Sequence, residues 1–127
     1  MEKTQFVVCD TNIVIELFKH NPIVIDKCLD LGMNNLVISA VTVGEFYAGV
    51  IDRQELLKVR KHLDKFPVLH LNETISETAI RLMERFCLSH HPQIPDTLIA
   101  ATALYYDIPV YTLNVKDFRY IPEIQII

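Results

Sequence analysis

Four carboxylates, Asp10, Glu45, Asp96 and Asp117, occupy places in this chain from which an acid can do chemistry. Asp10 closes Phe6-Val7-Val8-Cys9, an apolar, β-branched run that reads as a buried strand, and Thr11-Asn12 joins it at once to a second apolar segment, Ile13 to Phe18. The join is too tight for a hairpin. Strand, polar residues, then helix opens an α/β sheet, and such sheets bind ligands at the carboxyl ends of their strands. A plainer role competes, since Asp, Thr and Asn all favour helix N-caps.

Glu45 falls inside a helix predicted over Ala40 to Ile51. Steps of about 100° put Val41, Ala48 and Gly49 on its side, with Gly44 adjacent, and Val43, Phe46, Tyr47 and Val50 on the far side. A carboxylate among small residues reads as a wall cleared for close approach. The pattern recurs after Pro95, where Asp96 shares a face with Ala100 and Ala103 while Leu98, Tyr105 and Tyr106 point away. An acid in a first helical turn is also what the helix dipole favours. Asp117 follows the last clear strand in Thr112 to Phe118, where it is equally a capping residue. Brought together, the four would repel, at about 4 kcal/mol per pair 4 Å apart for an effective dielectric of 20. A hard divalent cation relieves that repulsion, and carboxylate oxygen is its matching ligand. No His or Cys belongs to these segments, so Mg²⁺ or Mn²⁺ fits and zinc does not. Such an ion acidifies a bound water and neutralises a scissile phosphate.

These acids need a frame. The 127 residues predict a single domain over residues 1–127, large enough to bury about two-thirds of its unfolded surface without a disulfide or zinc staple. Hydrophobic residues make up 50% of the chain, a surplus that points to a partner or self-interface. No apolar run approaches the roughly 18–20 residues that span a bilayer. Asp10 interrupts the N-terminal apolar run and Glu2 stands where a signal peptide would be basic. Cys9, Cys28 and Cys87 lack Cys-x-x-Cys spacing and read as reduced core thiols of a cytoplasmic protein. A net charge of −4 argues against a nucleic-acid coating protein but leaves room for an enzyme whose acids gather at one metal site.

In order, the chain predicts a helix over Ile23 to Leu31 stopped by Gly32, and a buried strand Leu36-Val37-Ile38 ending at Ser39. The Ala40 helix comes next, then another over Asp52 to Phe66 with Leu56, Leu57 and Leu63 inward. Val68-Leu69 is a short strand, and Asn72 to Leu88 an amphipathic helix closed by His90, His91 and Pro92. A helix from Pro95-Asp96 to Tyr106, a strand Val110 to Thr112, a turn at Asp117-Phe118 and an edge strand Ile124 to Ile127 complete the chain. Alternating strands and helices imply a parallel sheet with helices on both faces.

At Val8 to Asn12, Ser39 through Thr42 to Glu45 and Gly49, Asp96 to Leu104, and Thr112 through Asn114 to Phe118, the sequence resembles a PIN domain, and within that family the toxin ribonuclease of VapBC toxin–antitoxin pairs. The four pieces occur in the family's order across essentially the whole chain. The resemblance implies a three-layer α/β/α sandwich around a parallel sheet. It also implies Mg²⁺- or Mn²⁺-dependent endonucleolytic cleavage of RNA, homodimers, and silencing by a small cognate antitoxin. It makes Asp10 and Asp96 the principal metal ligands, has Glu45 complete the metal shell or orient water, and makes Asp117 the fourth acid. Thr11, Asn12 and Thr112 become supporting residues, with Asn114 standing where relatives place an acid. Arg53, Lys58, Arg60, Lys61 and Lys65 could guide RNA phosphates, but the interleaved Asp52, Glu55 and Asp64 favour a solvated helix face. His90-His91 reads as a helix end.

Two enzyme rivals fail at named positions. A phosphotransfer receiver needs two acids after the first strand and an acceptor Asp at a central strand end, where this chain has Asn12 and Ser39. A haloacid-dehalogenase-like phosphatase needs a second Asp at position 12. Non-toxin PIN nucleases of RNA processing and a catalytically silent PIN-fold binding module remain as alternatives.

Overall fold

The structure, a computed structural model, describes residues 5–127. Glu2, on which the signal-peptide argument partly rests, lies outside the described residues. The elements are β1 (Val7–Cys9), α1 (Thr11–Phe18), α2 (Pro22–Leu31), β2 (Leu36–Ser39), α3 (Ala40–Ala48), α4 (Arg53–Leu63), β3 (Val68–Leu69), α5 (Glu73–Phe86), α6 (Ile94–Tyr106) and β4 (Val110–Tyr111). Single 3-10 turns cover Met33–Asn35 and Val115–Asp117.

Side chains fix where most helices begin. Asp10, Asn21, Ser39, Asp52 and Asn72 each accept a backbone N–H of the following turn, which satisfies a donor that the helix cannot. Gly32 ends α2 at φ 93°, a conformation that L side chains avoid.

The sheet is wholly parallel in the order β3-β2-β1-β4. Both faces are covered, so its strands are apolar at successive positions. Val7, Cys9, Leu36, Ile38 and Tyr111 face Ile13, Val14, Leu17, Val24, Cys28, Val59 and Leu63 from α1, α2 and α4. Val8, Val37 and Val110 face Ile99, Ala100 and Ala103 of α6, with Phe118 and Ile121. Helix α5 packs on α6 through Ile75, Ala79 and Ala101. The fold is the three-layer α/β/α sandwich expected.

Several local expectations shift. Helices α3, α4 and α5 are each shorter than predicted, and the terminal edge strand reduces to one bridge, Val110 to Ile126. Leu57 is exposed, because it lies about 200° around α4 from Val59. The buried stripe of α4 instead contains His62, whose Nε2 donates to Val14 O at 3.0 Å among Phe18, Phe46 and Phe66. Cys9 and Cys28 are buried thiols, but Cys87 is exposed past the end of α5. Tyr47 likewise leaves the packed stripe of α3, which Val43 and Phe46 hold with Val50 just past the helix end. Among the described residues, no helix is long and apolar enough to cross a membrane.

Candidate active site

Strand β1 lies between β2 and β4, so the chain connections diverge at its carboxyl end. That topological switch point is where parallel sheets form clefts. Asp10 occupies it and is 4% exposed. Its Oδ1 accepts Thr11 N–H at 2.8 Å, and its Oδ2 accepts the Thr112 hydroxyl at 2.7 Å. Asp10 therefore caps α1 and presents a fixed carboxylate at once; the two roles weighed from sequence are not alternatives. Burial raises its pKa, the Thr112 and Thr11 hydrogen bonds oppose the rise, and the charges of Glu45 and Asp117 add to it.

The β2–α3 junction supplies Glu45. Thr11 Oγ1 donates to Glu45 Oε1 at 2.7 Å and lies 2.9 Å from Thr42 Oγ1. Since Thr11 has one hydroxyl proton and gives it to the carboxylate, Thr42 donates to Thr11, and the chain of protons runs Thr42 to Thr11 to Glu45. Glu45 is exposed, with Gly44, Ala48 and Gly49 around it exposed as well. A Cβ at Gly44 would meet nothing within 4 Å.

Asp96 stands in the first turn of α6. Its small-residue face has a different meaning from the one expected: Ala100 and Ala103 are fully buried against the sheet. They let α6 approach the strands closely and clear no wall for a ligand. Burial is the main cause that raises the Asp96 carboxyl to about 6, and the charges of Asp10, Asp117 and Glu45 push the same way. Asp117 ends the 3-10 turn after β4, and together with Asp96 lines a cavity of about 140 Å³. The four acids, from four separate segments, thus act on one another at one end of the sheet.

Of the supporting residues, Asn12 Oδ1 accepts Leu113 N–H at 3.3 Å, tying α1 to the segment after β4. Thr112 bridges Asp10 and Asn114 N–H. Asn114 is exposed and its side chain caps nothing. Sequence reasoning assigned no role to Thr42; its signal was its place in the Ser39-to-Glu45 motif. Lys58 and Lys61 lie along one flank of α4 and, with Lys65 just past its end, line a cavity of about 490 Å³, while Arg53 and Arg60 fall on the other flank.

The donor set suits a hard cation in kind, being oxygen only. Among the described residues, no three His, Cys, Asp or Glu side chains are closed into a ready metal cage.

A parallel β3-β2-β1-β4 sheet between helical layers, with acids at its carboxyl edge, defines a class of α/β/α fold. A sequence model of the PIN domain matches residues 7–124, and the chain belongs to the PIN domain family. Within that family, part of the chain is similar to a VapC protein. It is 48% identical over 44 residues to the ribonuclease VapC of Rickettsia bellii (strain RML369-C), a match covering 35% of this chain and 30% of that protein. The matched stretch therefore spans less than a third of that relative. The structure is similar to a toxin–antitoxin complex from Klebsiella pneumoniae, with TM-score 0.77, 26% identity and 95% of each chain covered. It is also similar to VapBC-1 from nontypeable Haemophilus influenzae, with TM-score 0.80, 25% identity and 97% of each chain covered. VapBC2 from Rickettsia felis shares the fold at TM-score 0.83, with 21% identity over 97% of this chain and 98% of that one.

Proposed function

We propose that this chain is a single-domain, metal-dependent endoribonuclease, the toxin of a VapBC-type pair. It hydrolyses RNA phosphodiester bonds at Asp10, Glu45, Asp96 and Asp117 with Mg²⁺ or Mn²⁺. The supporting observation is the convergence of four acids from four segments, with repulsion strong enough to help raise Asp96 to about 6. The likeness to a toxin–antitoxin complex supports a small protein partner, and the exposed apolar residues, Ile23, Ile51, Ile80 and Leu88 among them, leave surface for it and for a second copy. Free thiols at Cys9, Cys28 and Cys87 suit a cytoplasmic setting.

Asp10 and Asp96 would hold the ion, with Asp117 and Glu45 completing its surroundings. A bound divalent ion supplies charge neutralisation at the phosphate and a more acidic water. Thr112 and Thr11 N–H orient Asp10 and offset part of the rise in pKa that its burial causes. Thr11 fixes one oxygen of Glu45, leaving the other to orient water and accept its proton.

A second reading, a PIN-fold module that binds RNA or protein without cutting, takes its support from the lack of a pre-formed metal cage among the described residues. RNA cleavage with and without EDTA, for wild type, Asp10→Asn and Asp96→Asn, decides between them. Cleavage lost with EDTA and in both variants is the expected result; activity indifferent to both substitutions overturns the assignment. A wild type that binds RNA without cutting it is the binding module. A substrate panel separates a toxin from an RNA-processing nuclease.

A further inference from the structure

The cavity of about 140 Å³ beside Asp96 and Asp117 is also lined by His90, Gln93, Lys116 and Tyr120. None of these four has a part in the hydrolysis described above. His90 and Tyr120 form a parallel stack, with ring centroids 4.1 Å apart and planes 15° apart. Both rings meet Phe86 nearly edge-on, at 5.5 and 4.9 Å. Ser89 Oγ lies 2.8 Å from His90 Nδ1 and fixes the imidazole further. Tyr120 and Phe86 are half-buried and His90 is exposed, so the stack ends outward on a ring held rigidly by three neighbours. Gln93 is the N-cap residue of α6, yet its side chain does not cap the helix. Its amide, both donor and acceptor, is left for something else.

We propose that this cavity receives one nucleobase adjacent to the scissile phosphate, stacked on His90 and read along its edge by Gln93, with Lys116 meeting a neighbouring phosphate. The proposal rests on the ribonuclease reading and assigns part of its substrate recognition. Single-stranded RNA is bound by splaying bases onto aromatic rings and hydrogen-bonding their edges. Stacking tolerates any base; discrimination then falls to the amide. A platform fixed before binding loses little conformational freedom when the base arrives. At this size the cavity admits a single splayed base and excludes a duplex, which predicts cleavage in loops and single strands.

The test uses the full chain and short single-stranded RNAs carrying 2-aminopurine at each position in turn, bound in EDTA so that hydrolysis does not interfere. Quenching at one position is expected for wild type, retained in His90→Phe, and lost in His90→Ala and His90→Asn. With metal present, His90→Ala should lower kcat/KM about tenfold, chiefly through KM, and His90→Phe should restore it. Removing the base from that nucleotide should cost wild type the same factor and cost His90→Ala nothing more. Quenching that survives His90→Ala, or losses that simply multiply, overturns the proposal. His90-dependent quenching in a protein that cuts no RNA would leave the base site standing and remove the hydrolytic reading. Cleavage without such quenching removes the base site alone.

Discussion

Thr112 donates its hydroxyl proton to Asp10 Oδ2 at 2.7 Å, joining residues 102 positions apart at the carboxyl ends of neighbouring strands. The bond does two things. It satisfies a buried carboxylate oxygen, and it lowers a pKa that burial raises. Thr112→Val keeps the shape and removes the donor. RNA cleavage should fall about 10- to 100-fold, while Thr112→Ser stays within a few-fold of wild type. Steady-state kcat/KM for the three proteins checks this, and an unimpaired valine variant would show that Asp10 needs no positioning.

The Thr42–Thr11–Glu45 relay makes a second prediction. Thr11→Val and Glu45→Gln should each reduce cleavage, and their combination should cost less than the product of the two. The coupling should be about 0.5–1.5 kcal/mol, the range of one hydrogen bond. Independent effects in the double-mutant cycle would mean that Thr11 does not act through Glu45.

Asp96 sets a pH dependence in the metal-free protein. Its folded pKa, about 6, is above the ordinary 3.8. The protonated carboxyl is therefore favoured in the fold, and this contribution is full below about 3.8 and lost as pH rises through about 6. Partial exposure holds the effect to about 1–2 kcal/mol. Asp96→Asn should raise the Tm of the EDTA-treated protein at pH 7.5 by a few degrees and leave it nearly unchanged at pH 4. Mg²⁺ or Mn²⁺ should stabilise wild type at pH 7.5 and stabilise Asp96→Asn far less. Differential scanning calorimetry with and without EDTA reads both.

His62 works in the opposite direction. Burial lowers its pKa from 6.5, with Lys65 and His20 adding to the shift and the bond to Val14 O opposing it. The neutral ring is the folded form, so its contribution is full above about 6.5 and lost as pH falls through the lowered value. His62→Phe should remove this acid-side loss between pH 6.5 and 5. It should also lower stability at pH 7.5 by about 1 kcal/mol, since Val14 O loses a donor. Urea unfolding at the two pH values distinguishes these effects.

The Thr42→Thr11→Glu45 contact and the partners of His62 show where reading the chain stops. Val7-Val8-Cys9, Leu36-Val37-Ile38 and Val110-Tyr111 are apolar at every position because both sheet faces are covered, and their alternation with helices implied the parallel sheet. Asp10-Thr11-Asn12 directly after a strand marked the carboxyl edge, and the order of the acidic motifs supplied the candidate site. Helical spacing, by contrast, shows which residues share a face and not what that face meets. Ala100 and Ala103 share a face with Asp96, yet they are a packing seam.

Local chemistry in the sequence determined the strands, the capped helix starts and the identity of the four acids, since caps and periodicity act within a few residues. Tertiary structure alone decided the rest. It turned Leu57 outward and His62 inward, placed Thr112 on Asp10, and stacked His90 on Tyr120 across 30 residues of chain. Each of these depends on the angle at which an element packs. That angle is set by the partner's surface, and no short stretch of sequence contains it.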